Sequence, residues 1–183
     1  MRQLDRNRYA TLASPVDWGP VIGRFTLHEE AGDESLVSNV SMIPFVGSQV
    51  VMMQVDNGRW ELPGGTLEAG EHYLDGLKRE LMEELGAALI HYRIFGSFHC
   101  ESSASAPYRP YIPHPYFRRL VGYGEVEIVG SPLNPEDGEQ VTRVETVEIE
   151  EAVRRFQEGG RYDLAELFLL GYTCRMEDSE RSG

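Results

Sequence analysis

The stretch from Gly64 to Ala87, GGTLEAGEHYLDGLKRELMEELGA, constrains the fold and chemistry of this chain more than any other. Leu74, Leu77, Leu81 and Leu85 recur every three to four residues, which predicts a helix with one buried stripe. Glu80, Glu83 and Glu84 stand at i, i+3 and i+4. At about 100° per residue they fall within an arc of roughly 100° beside that stripe. Like charges so placed repel, at about 0.2–0.5 kcal/mol for each close pair. An acidic solvated helix face is the commonplace explanation. A divalent cation is the other, because it reverses the sign of the interaction, and hard ions such as Mg²⁺ take carboxylate oxygens together with substrate phosphates. Two neighbours favour the cation. Gly64 and Gly65, fixed behind Pro63, let a backbone carbonyl turn inward where a side chain would obstruct it. Glu71 precedes Arg79 by eight residues, so an ion pair can tie the loop to the helix.

These residues resemble the signature of the Nudix (MutT-like) hydrolases, G-x5-E-x7-R-E-U-x-E-E-x-G-U, with U a bulky aliphatic. Gly65, Glu71, Arg79, Glu80, Leu81, Glu83, Glu84 and Gly86 match; Ala87 departs at the last aliphatic position, which bears on packing behind the helix. The resemblance implies an α/β/α sandwich with a mixed central sheet and the motif loop and helix on one side. It implies hydrolysis of the diphosphate linkage in a nucleoside diphosphate joined to another group X, by metal-activated water with Mg²⁺ or Mn²⁺. Carried onto this chain, Glu80, Glu83, Glu84 and the Gly64 carbonyl would hold the metal. Arg79 would position the glutamates, Glu71 would hold Arg79, and Gly65 and Gly86 would shape the loop and helix end. Such chemistry needs phosphate charge neutralised and a water aimed in line, with a carboxylate to take its proton.

Composition narrows the partners. A chain of 183 residues predicts one domain with a sizeable core. A formal net charge of −13 argues against long nucleic acid, which is bound by phosphate neutralisation. A small anionic substrate is compatible, because a metal reverses the charge locally. Cys100 and Cys174 lack metal-ligand spacing and read as free thiols of a cytoplasmic protein. No apolar run is long enough to span a bilayer.

The remaining chain reads as follows. Residues 1–35 are expected to form an extension, packed on the domain as an extra strand pair or serving as a dimer arm or a lid, with a basic start at Arg2, Arg6 and Arg8, a strand over Val21–Glu29, and Trp18 as a packing residue rather than a platform for a base. The resemblance implies a Nudix domain over residues 36–174. Strands are expected over Leu36–Phe45, Gln49–Val55, Leu89–His99, Phe117–Val129 and Val141–Val147, with a hairpin at Asp56-Asn57-Gly58. Helices are expected over Glu150–Glu158, stopped by Gly159-Gly160, and over Leu164–Tyr172. The tail 175–183 reads as frayed.

Two loops carry candidate roles. Residues 101–116, ESSASAPYRPYIPHPY, form a long irregular segment whose Tyr108, Tyr111, Tyr116 and His114 are positioned either to cap a substrate base or to pack on the domain. The acidic loop with Glu136, Asp137 and Glu139 precedes the strand and paired helices of the C-terminal half. In many Nudix hydrolases a carboxylate outside the motif completes the site or serves as base. Glu139 is the favoured one here, with Glu80 as the candidate inside the motif. A non-catalytic Nudix-fold sensor of nucleotide-like ligands is the alternative, although such proteins usually lose motif glutamates. An isomerase on the same fold is a more distant reading. Substrates from nucleoside triphosphates to ADP-ribose stay open, with the C-terminal half leaning towards nucleotide sugars.

Overall fold

The computed structural model describes residues 4–182; Arg2 of the basic start lies outside them. Strands are β1 (Val16–Asp17), β2 (Val21–Leu27), β3 (Val37–Val46), β4 (Gln49–Val55), β5 (Trp60–Glu61), β6 (Gly64–Thr66), β7 (Ala87–Ser102), β8 (Tyr116–Ile128) and β9 (Val141–Val147). Helices are α1 (Tyr73–Leu85), α2 (Ile149–Glu158) and α3 (Tyr162–Ser182). Among the described residues the strands form one sheet ordered β1-β2-β7-β8-β3-β4-β5, with β6 on β3 and β9 on β4. The β3–β8 pair is parallel and the other pairs are antiparallel, so the sheet is mixed.

Strand β4 shows why the sheet lies between two helical layers. Its residues alternate between two apolar environments. Val50 and Met52 belong to one core with Ile43, Phe45, Phe156, Leu167 and Phe168, under α2 and α3. Val51, Met53 and Val55 belong to the other with Leu77, Leu81 and Leu85 of α1. A strand covered on both faces reads as a continuous apolar run, which is the pattern of QVVMMQV. The α1 stripe is fully enclosed at Leu77, Leu81 and Leu85, each stabilising by about 1.5–3 kcal/mol. Gly86, in the left-handed conformation, caps the helix through its N–H to the Leu81 and Met82 carbonyls. Leu81→Ala should cost about 2–5 kcal/mol of unfolding free energy, checked by urea denaturation of the metal-free protein.

The sheet also opens the cleft. Strand β3 pairs with β4 only at Phe45 and Val46. Its other end, Asn39 to Ser41, pairs instead with β6. The two strands therefore share one end and part at the other, and Asn39 and Ser41 of β3 and Glu61 of β5 line the cleft there.

Two segments differ from the sequence reading. Residues 175–182 continue α3 where a frayed tail was expected. Their charges are used: Arg175 donates to Glu125 on β8 (3.1 Å) and to the Gly47 carbonyl (2.9 Å), and Tyr123 donates to Asp178 (2.5 Å). Strand β7 runs from Ala87 to Ser102, longer at both ends than Leu89–His99, because β2 and β8 both pair along it.

Candidate active site

Arg79 is the centre of the motif. Its Nε and Nη2 donate to the two oxygens of Glu71, both at 2.9 Å, a bidentate fork that fixes loop to helix. The remaining nitrogen, Nη1, reaches Glu80 (2.9 Å) and Glu83 (3.3 Å), and Nη2 also reaches the Thr66 carbonyl (3.3 Å). One guanidinium thus serves three carboxylates. Its neighbours hold the Arg79 charge more firmly than usual, the Glu71 hydrogen bonds most of all. The same contact keeps the Glu71 carboxyl below its ordinary range.

Glu84 sits differently. It is the motif glutamate that is buried, at 9 % exposure, and it accepts a hydrogen bond from the Gly64 N–H at 2.8 Å. Burial raises its pKa well above the ordinary carboxylate value; the Gly64 contact opposes this, and the charges of Glu80, Glu139 and Glu83 add to it. Glu80 is also raised, first by burial and then by Glu83 and Glu71, with Arg79 opposing. Gly65 lies against the Glu80 carboxylate so closely that a Cβ there would overlap it. The motif glycine is therefore the space into which that carboxylate fits.

The acidic loop meets the motif from the other side of the cleft. The Leu133 and Asn134 N–H groups donate to the Met82 and Glu83 carbonyls at the end of α1. Asn134 exchanges two hydrogen bonds with Val141, and Gln140 donates to the Pro135 carbonyl. This latch brings Glu139 to the cleft, with its pKa raised by burial and by Glu61. All three acidic side chains of this loop are exposed, and of them Glu139 lines the cleft while Glu136 and Asp137 do not.

The cleft, of about 230 Å³, is lined by Gly64, Gly65, Glu84, Glu61 and Glu139, then by Asn39, Ser41, Trp18, Phe98, Arg119 and Val121, and by Arg161, Asp163, Leu164 and Leu167. Among the described residues no three His, Cys, Asp or Glu side chains form a ready metal cage. Of the three motif glutamates Glu84 lines the cleft beside Gly64, whereas Glu80 and Glu83 do not and are bound to Arg79. The available donors are nonetheless oxygens, the carboxylates and the Gly64 carbonyl, with the proton affinities of Glu80, Glu84 and Glu139 raised, and they suit a hard divalent cation.

Tyr108 reaches the rim by donating to Asn39 (3.2 Å). Tyr111 accepts from Arg109 (3.1 Å), Tyr116 points to Glu101 (3.5 Å), and His114 contacts the Ala104 carbonyl (3.0 Å); none of the four, Tyr108 included, lines the cleft itself. Sequence reasoning missed Glu61, Arg119, Arg161 and Asp163. They come from separate strands and from the start of α3, so no local spacing marks them. Arginine inside the otherwise apolar run of β8 was the available signal.

The NUDIX domain model matches residues 35–168. The chain belongs to the Nudix family. A MutT-like protein of Streptomyces ambofaciens is 48% identical over 40 residues, 22% of this chain and 26% of that protein, so this chain spans about a quarter of the length of that curated relative. Among solved structures, a Nudix hydrolase from Nitrosomonas europaea has a TM-score of 0.54 at 18% identity, covering 75% of this chain and 89% of that one. The Bacillus subtilis pyrophosphohydrolase BsRppH has a TM-score of 0.51 at 14% identity, covering 68% and 72%. These likenesses establish the Nudix fold over most of the chain. No helix among the described residues is long and apolar enough to cross a membrane.

Proposed function

We propose that this cleft hydrolyses the diphosphate linkage of a nucleoside diphosphate joined to a group X, with Mg²⁺ or Mn²⁺ held by Glu80, Glu83, Glu84 and the Gly64 carbonyl. The observation that carries the proposal is Glu84. A carboxylate is buried at the cleft wall, on the Gly64 N–H, with three further carboxylates raising its proton affinity. Burying such a group without a cation is costly. When bound, the metal supplies neutralisation of phosphate charge and a more acidic water.

The chain's own residues do the rest. Arg79, fixed by Glu71, sets the backs of Glu80 and Glu83. Leu164, Leu167, Phe98 and Val121 exclude solvent from one wall, which strengthens every charge interaction inside. The cleft, open to solvent along its rim, holds about 230 Å³, less than the roughly 300–1,000 Å³ of common ligand pockets. It therefore takes the diphosphate, with the nucleoside and X extending past the rim, where Tyr108 stands. Glu139 faces the cleft from a loop latched to α1, with no arginine in hydrogen-bond reach among the described residues, and is the favoured general base; Glu80, held by Arg79, is the second candidate.

The discriminating experiment is a panel of nucleoside triphosphates, nucleotide sugars, ADP-ribose and dinucleoside polyphosphates. Phosphate and pyrophosphate release are measured in Mg²⁺ and in chelator. A hydrolase releases product only with metal. A sensor on the same fold would bind a ligand yet release nothing above background, and that result would end the catalytic reading. Within an active enzyme, Glu139→Gln should lower kcat by about 100-fold or more. It should also remove the acid limb of the pH–rate profile, because the base form exists only above the raised Glu139 pKa. Retention of that limb would move the role to Glu80.

A further inference from the structure

We propose that Arg119, mounted on Trp18 and one strand across β3 from the motif loop, is the residue that grips a phosphate of the substrate in the cleft; this rests on the diphosphate reading above. The cleft contains two arginines. Arg161 is committed, donating to Glu61 at 2.9 Å and to both oxygens of Asp163 at 3.1 and 3.0 Å. Arg119 makes no ion pair within 4.0 Å of a carboxylate among the described residues. Its Nε is buried and has no hydrogen-bond partner. An arginine that is half-buried, charged and unpaired is costly in a folded protein, and an anion in the cleft is what would offset that cost.

The mounting is built by the N-terminal strands. Trp18 lies at the turn of the β1–β2 hairpin, closed by its N–H to the Val21 carbonyl (2.9 Å). Its ring packs edge-on to Phe98 at 5.1 Å between centroids, and the Arg119 guanidinium lies over it at 4.7 Å. Gly23 on β2 passes directly beneath the indole, where any Cβ would overlap the ring. The indole is thus clamped between β2, Phe98 and Arg119, which leaves no face for a base to stack on. Stacking holds the guanidinium plane while its N–H edge stays available. A planar donor edge in the cleft matches phosphate oxygens, which arginine can take two at a time. Among the described residues nothing else in the cleft offers an uncommitted positive charge, and the protein carries −13 overall. Arg119 therefore recognises the phosphates themselves, and specificity for X lies elsewhere, at the rim.

The test uses the full chain and two readouts. Arg119→Gln should raise the KM for the best substrate of the panel by about 10- to 100-fold, with kcat changed less than threefold. The calorimetric Kd for α,β-methylene ADP in Mg²⁺ should rise by the same factor. Trp18→Leu, which removes the platform but keeps the charge, should give a smaller rise in both. Arg119→Met, which keeps the apolar stem against Trp18, replaces the glutamine variant should that one fail to fold. If the wild-type protein hydrolyses a diphosphate and Arg119→Gln or Arg119→Met leaves both KM and Kd within twofold, the assignment is overturned. If the wild-type protein hydrolyses nothing but binds the analogue through Arg119, the assignment stands and the catalytic reading falls.

Discussion

Glu84→Gln is expected to lower turnover by at least about 100-fold while making the metal-free protein more stable at neutral pH. The two effects have one origin. Glu84 is buried, and burial raises its pKa well above the ordinary value. A carboxyl whose folded-state pKa is raised binds its proton more tightly folded than unfolded. Between the unfolded and folded pKa values the folded state holds more protons, so stability falls as pH rises through that window. Above it the ionised group is a standing cost. Glutamine is neutral, and its carbonyl can still accept from the Gly64 N–H, so the cost disappears. The same substitution removes an anionic oxygen from the proposed metal site. Melting temperatures in chelator from about pH 4 to pH 8 should decline for the wild-type protein and be flatter for the variant, and added Mg²⁺ should stabilise the wild type more. A variant that melts lower than wild type in chelator at pH 8 would contradict this account of Glu84.

Arg79→Ala should act in the opposite sense on the metal-free protein. Arg79 bridges Glu71, Glu80 and Glu83, and its removal leaves three carboxylates without a cation. Loss of one member of a buried pair costs about 3–5 kcal/mol. Arg79 is 24% exposed at the side chain and Glu83 25%, so solvent screening reduces this to about 2 kcal/mol. In a chain of this size that lowers Tm by about 4–8 °C. Mg²⁺ should recover part of the loss, since a divalent ion can sit among the freed oxygens, whereas turnover should stay low because the glutamates are no longer held. Glu71→Gln, which keeps one acceptor for Arg79, should lose less in both assays. Equal melting of Arg79→Ala and wild type in chelator would show that the bridge carries no stability.

The motif and the secondary structure were legible for physical reasons that can be stated residue by residue. The leucine spacing of α1 and the double-sided apolar run of β4 follow from local periodicity, which depends only on neighbours along the chain. The Asp56-Asn57-Gly58 turn and the Gly86 cap are likewise local. The Arg79–Glu71 contact was foreseeable because both partners lie in one loop-and-helix unit. The helical course of residues 175–182 was not, because Arg175 and Asp178 find their partners on β8 and in the turn after β3.

What the amino-acid sequence determines by itself is therefore the helix, its glycine-led loop and the family chemistry they imply, since these rest on spacing within one short stretch. Only the tertiary structure decides which carboxylate is buried, that Glu139 reaches the cleft while Glu136 and Asp137 do not, and that Arg119 stands on Trp18. Those facts depend on where β3 parts from β4 and on which strand edge β2 occupies, and pairing between distant segments leaves no periodic trace in the chain.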